Sequence, residues 1–317
     1  LKEYIDTVNP GVIYGVCSDY NSTKLLVKIS EVVKVPLVLH MMDDWPETLY
    51  TDGLEKLTIR PRYRRMYRKL IAKSNVVIGI CADMAKEYRI RYEKEVISYP
   101  IPVSLEEYRN LFRSDWVSGN PFTIRYGGRV GWAIRQCLED VALAVDQLYK
   151  EGIGVSFEIA TNQEDRVPQV CHEMECVRVS KLAPLDDLPR IASECDLHLI
   201  CYDFDELSKR QARFSMPGKL PACMASGTPI LVYSPPELPV VRYAKEYQWG
   251  SLVTVRDKKT LADRIRNLIQ SESLRKSLGT TARQIAFNRH DAEVISADFR
   301  RMIENLVDEH CRSNPKD

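Results

Sequence analysis

A lysine at the start of a short helical segment is the first residue of this sequence that could bind an anion. Lys219 follows Pro217 and Gly218, and the apolar run 220–225 after it has the length of a short helix. Backbone N–H groups at a helix start, beside a lysine, form a site for phosphate. An ordinary helix start whose lysine faces water has the same pattern, so the residues alone leave both interpretations open.

Two glycines and an arginine follow a predicted strand at 122–126. Gly127 and Gly128 allow a backbone to approach a ligand closely, and Arg129 could bind a diphosphate through two parallel hydrogen bonds. The segment matches neither of the glycine-rich motifs typical of dinucleotide and ATP sites. From these residues alone, a surface turn with a solvated arginine is slightly favoured over a ligand site.

A histidine ends the predicted strand at 35–40. His40 precedes two carboxylates, Asp43 and Asp44, and an indole, Trp45. A histidine at the carboxyl end of a strand, beside carboxylates, can orient a polar substrate. A histidine that only caps a loop would give the same pattern, and the residues do not decide between the two.

Basic residues are concentrated between 60 and 73, on a predicted helix at 59–73. Such a helix could contact anionic lipid. The solvated face of an ordinary packed helix is the more common source of this pattern.

The segment with Cys171, His172 and Cys176 fits no common zinc spacing, so no metal site is predicted.

Composition limits the class of protein. The chain has 317 residues, 44% of them hydrophobic and 28% charged, which is enough for two folded domains. The formal net charge of +1 predicts no general attraction to nucleic acid, and no apolar run is long enough to span a bilayer. Nine cysteines without a C-x-x-C pair indicate reduced thiols and a cytoplasmic protein.

Strands and helices alternate along the chain, in two series. The predicted strands of the first series lie at 11–16, 35–40, 75–80 and 95–99. Those of the second lie at 122–126, 154–160, 176–179, 197–202, 229–233 and 252–255. The pattern predicts an α/β protein with two doubly wound Rossmann-like domains and a ligand cleft between them.

The predicted boundaries follow from a polar segment between the two series. We expect a first domain at 1–103, a linker at 104–120, a second domain at 121–290, and a C-terminal helix at 291–317 that returns to the first domain.

The order of these segments resembles the GT-B fold glycosyltransferases, specifically the retaining group numbered family four. The segments that carry the resemblance are 35–46, 74–84, 97–103, 126–129, 185–196 and 217–229. The last of them resembles the motif P-S-K-x-x-E-Y-x-A-x-G-x-P of polysaccharide-assembly enzymes. The four strands expected in the first domain are fewer than the six or seven usual in this family, so the resemblance implies an incomplete first domain.

The resemblance assigns a role to each of the residues above. Arg129 and Lys219 would hold the diphosphate of the donor, and His40 would contact the transferred sugar. The donor site would comprise Gly127, Gly128, Arg129, Pro217, Gly218, Lys219 and Ala222. The acceptor would meet Asp43, Asp44 and Trp45. Ala222 stands where the family usually has a glutamate that binds the ribose of the nucleotide.

The implied activity is transfer of a hexose from a nucleotide sugar to a glycan or a lipid-linked glycan precursor, with retention and without metal or cofactor. The expected location is the cytoplasm, with a peripheral contact at the inner face of a membrane through residues 60–73. Ala222 and the short first domain favour an alternative, a non-catalytic homologue that binds a nucleotide sugar or a partner protein. A sugar-nucleotide epimerase on the same two-domain plan is a further alternative.

Overall fold

A computed structural model describes residues 2–131 and 133–313 and divides the chain into two compact units. The first unit comprises the residues up to Pro100 together with those from Glu293 onward. The second unit comprises Ile101–Ala292. Each unit is built on its own parallel sheet, which confirms the predicted α/β class with two Rossmann-like units.

The sheet of the first unit has four strands in sequential order. They are β1 (Ile13–Gly15), β2 (Leu37–Met41), β3 (Val76–Gly79) and β4 (Ile97–Ser98). The helices among them are α1 (Lys2–Val8), α2 (Tyr20–Val32), α3 (Trp45–Thr48), α4 (Gly53–Lys73) and α5 (Ala82–Tyr92). All four strands overlap the predicted positions, although β4 has two residues where five were expected.

Local residues set two helix starts in the first unit, and the second of these starts differs from the prediction. Asp19 caps α2, because its carboxylate accepts the N–H groups of Asn21 and Ser22 at 2.7 and 3.0 Å. Helix α4 begins at Gly53, six residues before the predicted start. Its first turns carry exposed leucines, so they lack the buried periodicity on which the prediction depended.

The second unit has a six-stranded sheet in the order β10-β9-β8-β5-β6-β7. Its strands are β5 (Phe122–Gly127), β6 (Val155–Ala160), β7 (Val177–Ser180), β8 (Leu197–Cys201), β9 (Ile230–Tyr233) and β10 (Ser251–Val253). Its helices are α6 (Glu106–Asn110), α7 (Arg135–Lys150), α8 (Gln169–His172), α9 (Leu188–Glu194), α10 (Glu206–Ala212), α11 (Leu220–Ala225), α12 (Pro239–Tyr247), α13 (Lys258–Gln270) and α14 (Glu272–Arg289). Strands β6 and β7 lie on one side of β5, and β8 lies on its other side. The strand order therefore reverses between β5 and β8, which makes their ends a topological switch point.

The core of the second unit lies on both faces of this sheet. One apolar cluster contains Phe122 and Phe157 and packs the sheet against α7 and α13. The other contains Met224, Trp249 and Ala282 and joins α11, α12 and α14. Strands β8 and β9 are buried on both faces, as the continuous apolar runs of a parallel sheet require.

The segment expected to be a linker, 104–120, packs on the second unit. The Arg113 guanidinium donates to Asp196 at 2.7 Å, and the Arg113 N–H donates to the Ser226 carbonyl at 2.7 Å. Arg275 donates to the Trp116 carbonyl at 3.0 Å. The polar composition of the segment therefore reflects side chains that bond the unit beneath, and not only contact with water.

A close backbone approach joins the end of α11 to α14. Gly227 follows α11 with φ +73, in the left-handed region expected of a glycine that ends a helix. A Cβ placed on Gly279 would lie 2.0 Å from the Gly227 carbonyl oxygen. Both glycines are thus needed for this contact.

The last helix, α15 (Ala292–Ser313), belongs to the first unit. The ring of Phe299 lies 5.8 Å from that of Tyr14 and 5.7 Å from that of Tyr99, both edge-on. These ring contacts join α15 to β1 and to the residue that follows β4. No described helix combines the length and the apolar character needed to cross a bilayer.

Candidate functional site

Two of the predicted donor-site residues, Lys219 and Gly128, meet at the switch point of the second unit. The ammonium of Lys219 lies 3.5 Å from the centroid of the Tyr126 ring, near the end of β5. A Cβ placed on Gly128 would lie 3.3 Å from that ammonium. The structure therefore brings Lys219 to the glycine turn, although 90 residues separate them in the sequence.

The turn itself is held by two hydrogen bonds. The Tyr126 hydroxyl donates to the Arg129 carbonyl at 2.6 Å, and the Gly128 N–H donates to the Ala160 carbonyl at 2.9 Å. Gly128 has φ +153, a conformation that side chains rarely adopt. The absence of a side chain at Gly128 leaves the room in which the Lys219 ammonium lies.

Lys219 is a desolvated cation. Its side chain is partly buried near Tyr126, Cys201 and Cys223, and this burial lowers the pKa of Lys219 to about 8. Within residues 2–131 and 133–313, no carboxylate forms an ion pair with it. A buried charge is costly without a partner of opposite charge. A bound phosphate would supply the negative charge that the described carboxylates do not bring to Lys219.

The neighbouring donor-site residues are open to solvent. Arg129 is exposed, and no described carboxylate pairs with it. A Cβ placed on Gly218 would meet no atom within 4 Å, so the space before this residue is free. Pro217 accepts the N–H of Leu220 at 2.9 Å, which starts the turn into α11. Ala222 is partly buried in α11 and presents only a methyl group where the family has a carboxylate.

Asp203 is a residue of this edge that the sequence analysis missed. Its carboxylate accepts the N–H groups of Cys137 at 2.7 Å and Gln136 at 3.2 Å, and so closes the start of α7. Desolvation raises the pKa of Asp203. A helix that follows the first strand of such a sheet often binds an anion at its N-terminus. Here the chain's own carboxylate, Asp203, accepts the N–H groups at that place. An acid two residues after the buried strand β8 was the available signal.

The histidine predicted to contact the sugar lies in β2 of the first unit. His40 Nδ1 is 2.7 Å from the Tyr14 hydroxyl, and its Nε2 is buried without a partner among the described residues. Burial lowers the pKa of His40, so the ring is neutral near pH 7. Tyr14, which the sequence analysis did not select, therefore sets the orientation of this ring.

The predicted acceptor residues lie in the loop after β2. The Asp44 carboxylate is buried and accepts the Arg91 guanidinium at 2.7 and 3.2 Å and the Tyr88 hydroxyl at 2.6 Å. Asp44 thus anchors the loop to α5, and its oxygens are already bonded. Asp43 and Trp45 are partly buried, and Trp45 begins α3.

The described residues contain no group of three His, Cys, Asp or Glu side chains placed to bind a metal ion. Cys171 and Cys176 are buried free thiols.

No protein-family model matches the sequence, and no curated protein matches it. Solved structures do match. Sucrose-phosphate synthase from Thermosynechococcus elongatus has a TM-score of 0.74 and 14% identity, over 96% of this chain and 76% of that one. Anabaena HepE, in complex with UDP and glucose, has a TM-score of 0.71 and 15% identity, over 96% and 81%.

A third similar structure carries a different activity in its name. The N-terminal domain of trehalose-6-phosphate phosphatase from Candida albicans has a TM-score of 0.71 and 13% identity, over 96% of this chain and 72% of that one. Identities at this level establish the fold alone. The chain therefore has the GT-B fold, with two Rossmann-like units as in these structures.

Proposed function

We propose that this protein is a glycosyltransferase that moves a hexose from a nucleoside-diphosphate sugar to a glycan or a lipid-linked glycan precursor. The observation that carries the proposal is the desolvated ammonium of Lys219, which lies at the switch point and pairs with no carboxylate in the described part of the chain. The similarity to HepE, whose structure contains UDP and glucose, supports a nucleotide-sugar donor.

Lys219 and Arg129 have the roles of diphosphate ligands in this proposal. Each cation forms charge-assisted hydrogen bonds to the phosphate oxygens, and the N–H of Gly218, which donates to no backbone carbonyl of the described residues, adds a neutral donor. Negative charge develops on the leaving diphosphate as the sugar bond breaks, so fixed cations at this position stabilise the transition state more than the ground state. Because two cations supply this charge, the proposal requires no metal.

His40 has the role of a sugar contact in this proposal. A Tyr14 hydroxyl that donates to Nδ1 leaves the proton of the neutral ring on Nε2, the nitrogen without a protein partner. That nitrogen can donate a hydrogen bond to a sugar hydroxyl. Retention of anomeric configuration is part of the proposal and follows from the resemblance to family four.

Calorimetry with uridine, guanosine and adenosine diphosphates tests the donor site. The Lys219→Met variant should bind the preferred nucleotide about tenfold to a hundredfold more weakly than the unchanged protein. Lys245→Met is the matched control, because Lys245 is exposed on α12 of the same unit. Equal affinity of Lys219→Met and Lys245→Met would overturn the assignment of Lys219.

A non-catalytic homologue is the second candidate function. Ala222 favours it, because a methyl group cannot replace the two acceptors that a carboxylate offers to ribose hydroxyls. The similarity to a domain of a protein named as a phosphatase shows that this fold also occurs in proteins named for other activities. Release of nucleoside diphosphate from a donor panel, measured with and without added glycan acceptors, separates the two. Binding without release in any combination would favour the homologue.

A further inference from the structure

The outer face of α4 concentrates positive charge that the rest of the chain lacks. Gly53–Lys73 contains eight lysines and arginines and one glutamate, which gives it a formal charge of +7. The whole chain has a formal charge of +1, so the remaining residues are negative by 6. This is a local basic surface on a protein that is otherwise mildly acidic.

Part of this charge is unpaired. Arg60 and Arg64 form ion pairs with Glu47, and Lys69 pairs with Glu31. Five exposed cations of α4 form no ion pair with a described residue, namely Lys56, Arg62, Arg65, Arg68 and, at the end of the helix, Lys73. These five are available to an external anion.

Two leucines lie with the first four of these cations in residues 54–68 of α4, which we call the ridge. Leu54 and Leu57 are 79% and 74% exposed, so both side chains are accessible to a partner. They lie three to four residues apart from one another, from Pro61 and then from Arg65, so all four lie along one side of the helix. The opposite side is buried through Tyr63 and Tyr67. The groove along the ridge is lined by Lys56, Leu57, Arg60, Pro61, Arg64, Arg65 and Arg68.

We propose that this ridge, residues 54–68 of α4, docks on an anionic lipid bilayer. Leu54 and Leu57 enter the boundary between head groups and acyl chains, while Arg62, Arg65 and Arg68 contact lipid phosphates. The positive charge of the ridge favours an anionic partner, and the exposed leucines favour a lipid bilayer over other anionic partners. A nucleic acid offers the phosphates but no apolar layer for two leucines.

Docking through α4 has a consequence for the acceptor, and this step rests on the proposed function. Helix α3 is tied to α4, because Arg60 donates to the Glu47 carbonyl at 3.1 Å and Arg64 to the Pro46 carbonyl at 3.3 Å. The loop that carries Asp43 and Trp45 is therefore held beside the docked helix. The arrangement favours a lipid-linked acceptor over a free glycan.

Sedimentation with vesicles tests the docking. We expect binding to vesicles of phosphatidylcholine with one-third phosphatidylglycerol at low salt, and little binding to phosphatidylcholine alone. The combined variant Arg62→Gln, Arg65→Gln, Arg68→Gln should bind about a hundredfold more weakly. The matched control is Arg166→Gln, Arg178→Gln, Arg264→Gln, which removes the same charge from exposed positions of the second unit.

The leucines distinguish lipid from other polyanions. The variant Leu54→Ser, Leu57→Ser keeps every charge and should still lose vesicle binding. An equal loss of vesicle affinity in the ridge variant and in the control arginine variant would overturn the proposal. Tight binding to single-stranded DNA that is the same with and without the two leucine substitutions would also overturn it.

Nucleoside diphosphate binding is measured on the same variants. Retained nucleotide affinity without vesicle binding would refute the docking alone, whereas vesicle binding by a protein that binds no nucleotide would refute the donor site alone.

Discussion

The two units use the charged residues at their strand ends in different ways. In the first unit, the carboxylate after β2, Asp44, is bonded to Arg91 and Tyr88. In the second unit, Asp203 closes the start of α7, but Lys219 stays desolvated, and no carboxylate of the described residues pairs with it. The first unit thus neutralises its strand-end carboxylate internally, whereas the second unit contains a cation without such a partner among the described residues. Unpaired buried charge, more than the presence of charged residues, therefore marks the proposed donor site.

The largest expected effect concerns the first unit. Asp44→Ala removes an acceptor of the buried Tyr88 hydroxyl and one of the two carboxylates that pair with the partly buried Arg91, which should lower the free energy of unfolding by roughly 3–5 kcal/mol. Urea titration measures it. Glu55→Ala, at an exposed position of α4, is the control and should change little. Unchanged stability with lost transfer would mean that Asp44 serves the acceptor, as the sequence suggests.

A substitution in the glycine turn sharpens the other side of the comparison. Gly128→Ala places a methyl group 3.3 Å from the Lys219 ammonium, at φ +153. Displacement of the ammonium should weaken nucleoside diphosphate binding about tenfold, or about 1.4 kcal/mol. Gly131→Ala is the control, because a Cβ there meets no atom within 4 Å. If calorimetry gives both variants the affinity of the unchanged protein, the glycine turn is not part of the donor site.

The affinity for a diphosphate should depend on pH through Lys219. The pKa of Lys219 is about 8 in the free protein because of burial, so the charged form is lost as pH rises through 8. The diphosphate binds the charged form, so affinity should fall above pH 8 by at most about tenfold per pH unit. Calorimetry between pH 6.5 and 9.5 measures it, and Lys219→Met should remove this part of the dependence.

The same lysine should affect the stability of the ligand-free protein in the opposite sense. The folded pKa lies below the ordinary value of 10.5, so the folded state loses its proton first. The cost of the buried charge is present below pH 8 and disappears as pH approaches 10.5. Lys219→Met should therefore be the more stable protein at pH 7, and its advantage should shrink by pH 10. An advantage that does not change with pH would show that the lysine is not desolvated.

The smallest expected effect is at the histidine of the first unit. Tyr14→Phe removes the hydroxyl that lies 2.7 Å from His40 Nδ1, an interaction of about 1 kcal/mol. Turnover should fall by about tenfold or less, with donor affinity unchanged. Tyr4→Phe, at an exposed position, is the control. A fall in turnover no larger than that in Tyr4→Phe would show that the Tyr14–His40 hydrogen bond has a structural role only.

Much of the fold could be predicted because its signals are local. Apolar runs such as 197–202 and 229–233 produced β8 and β9, and Gly227 ended α11 as its type indicates. The start of α4 was missed, because its first turns expose their leucines and lack the periodic buried face from which a helix is recognised.

The sequence by itself determined the alternation of strands and helices, and it selected Gly128 and Lys219 as residues suited to an anion. Only the tertiary structure decided that these two meet, that Asp203 closes α7, that Asp44 is taken by Arg91, and that Tyr14 holds His40. The physical reason is range. Backbone periodicity acts over a few neighbouring residues, whereas each of these pairs joins residues 26 or more positions apart. Strand order and helix packing set such distances, and no local pattern specifies them.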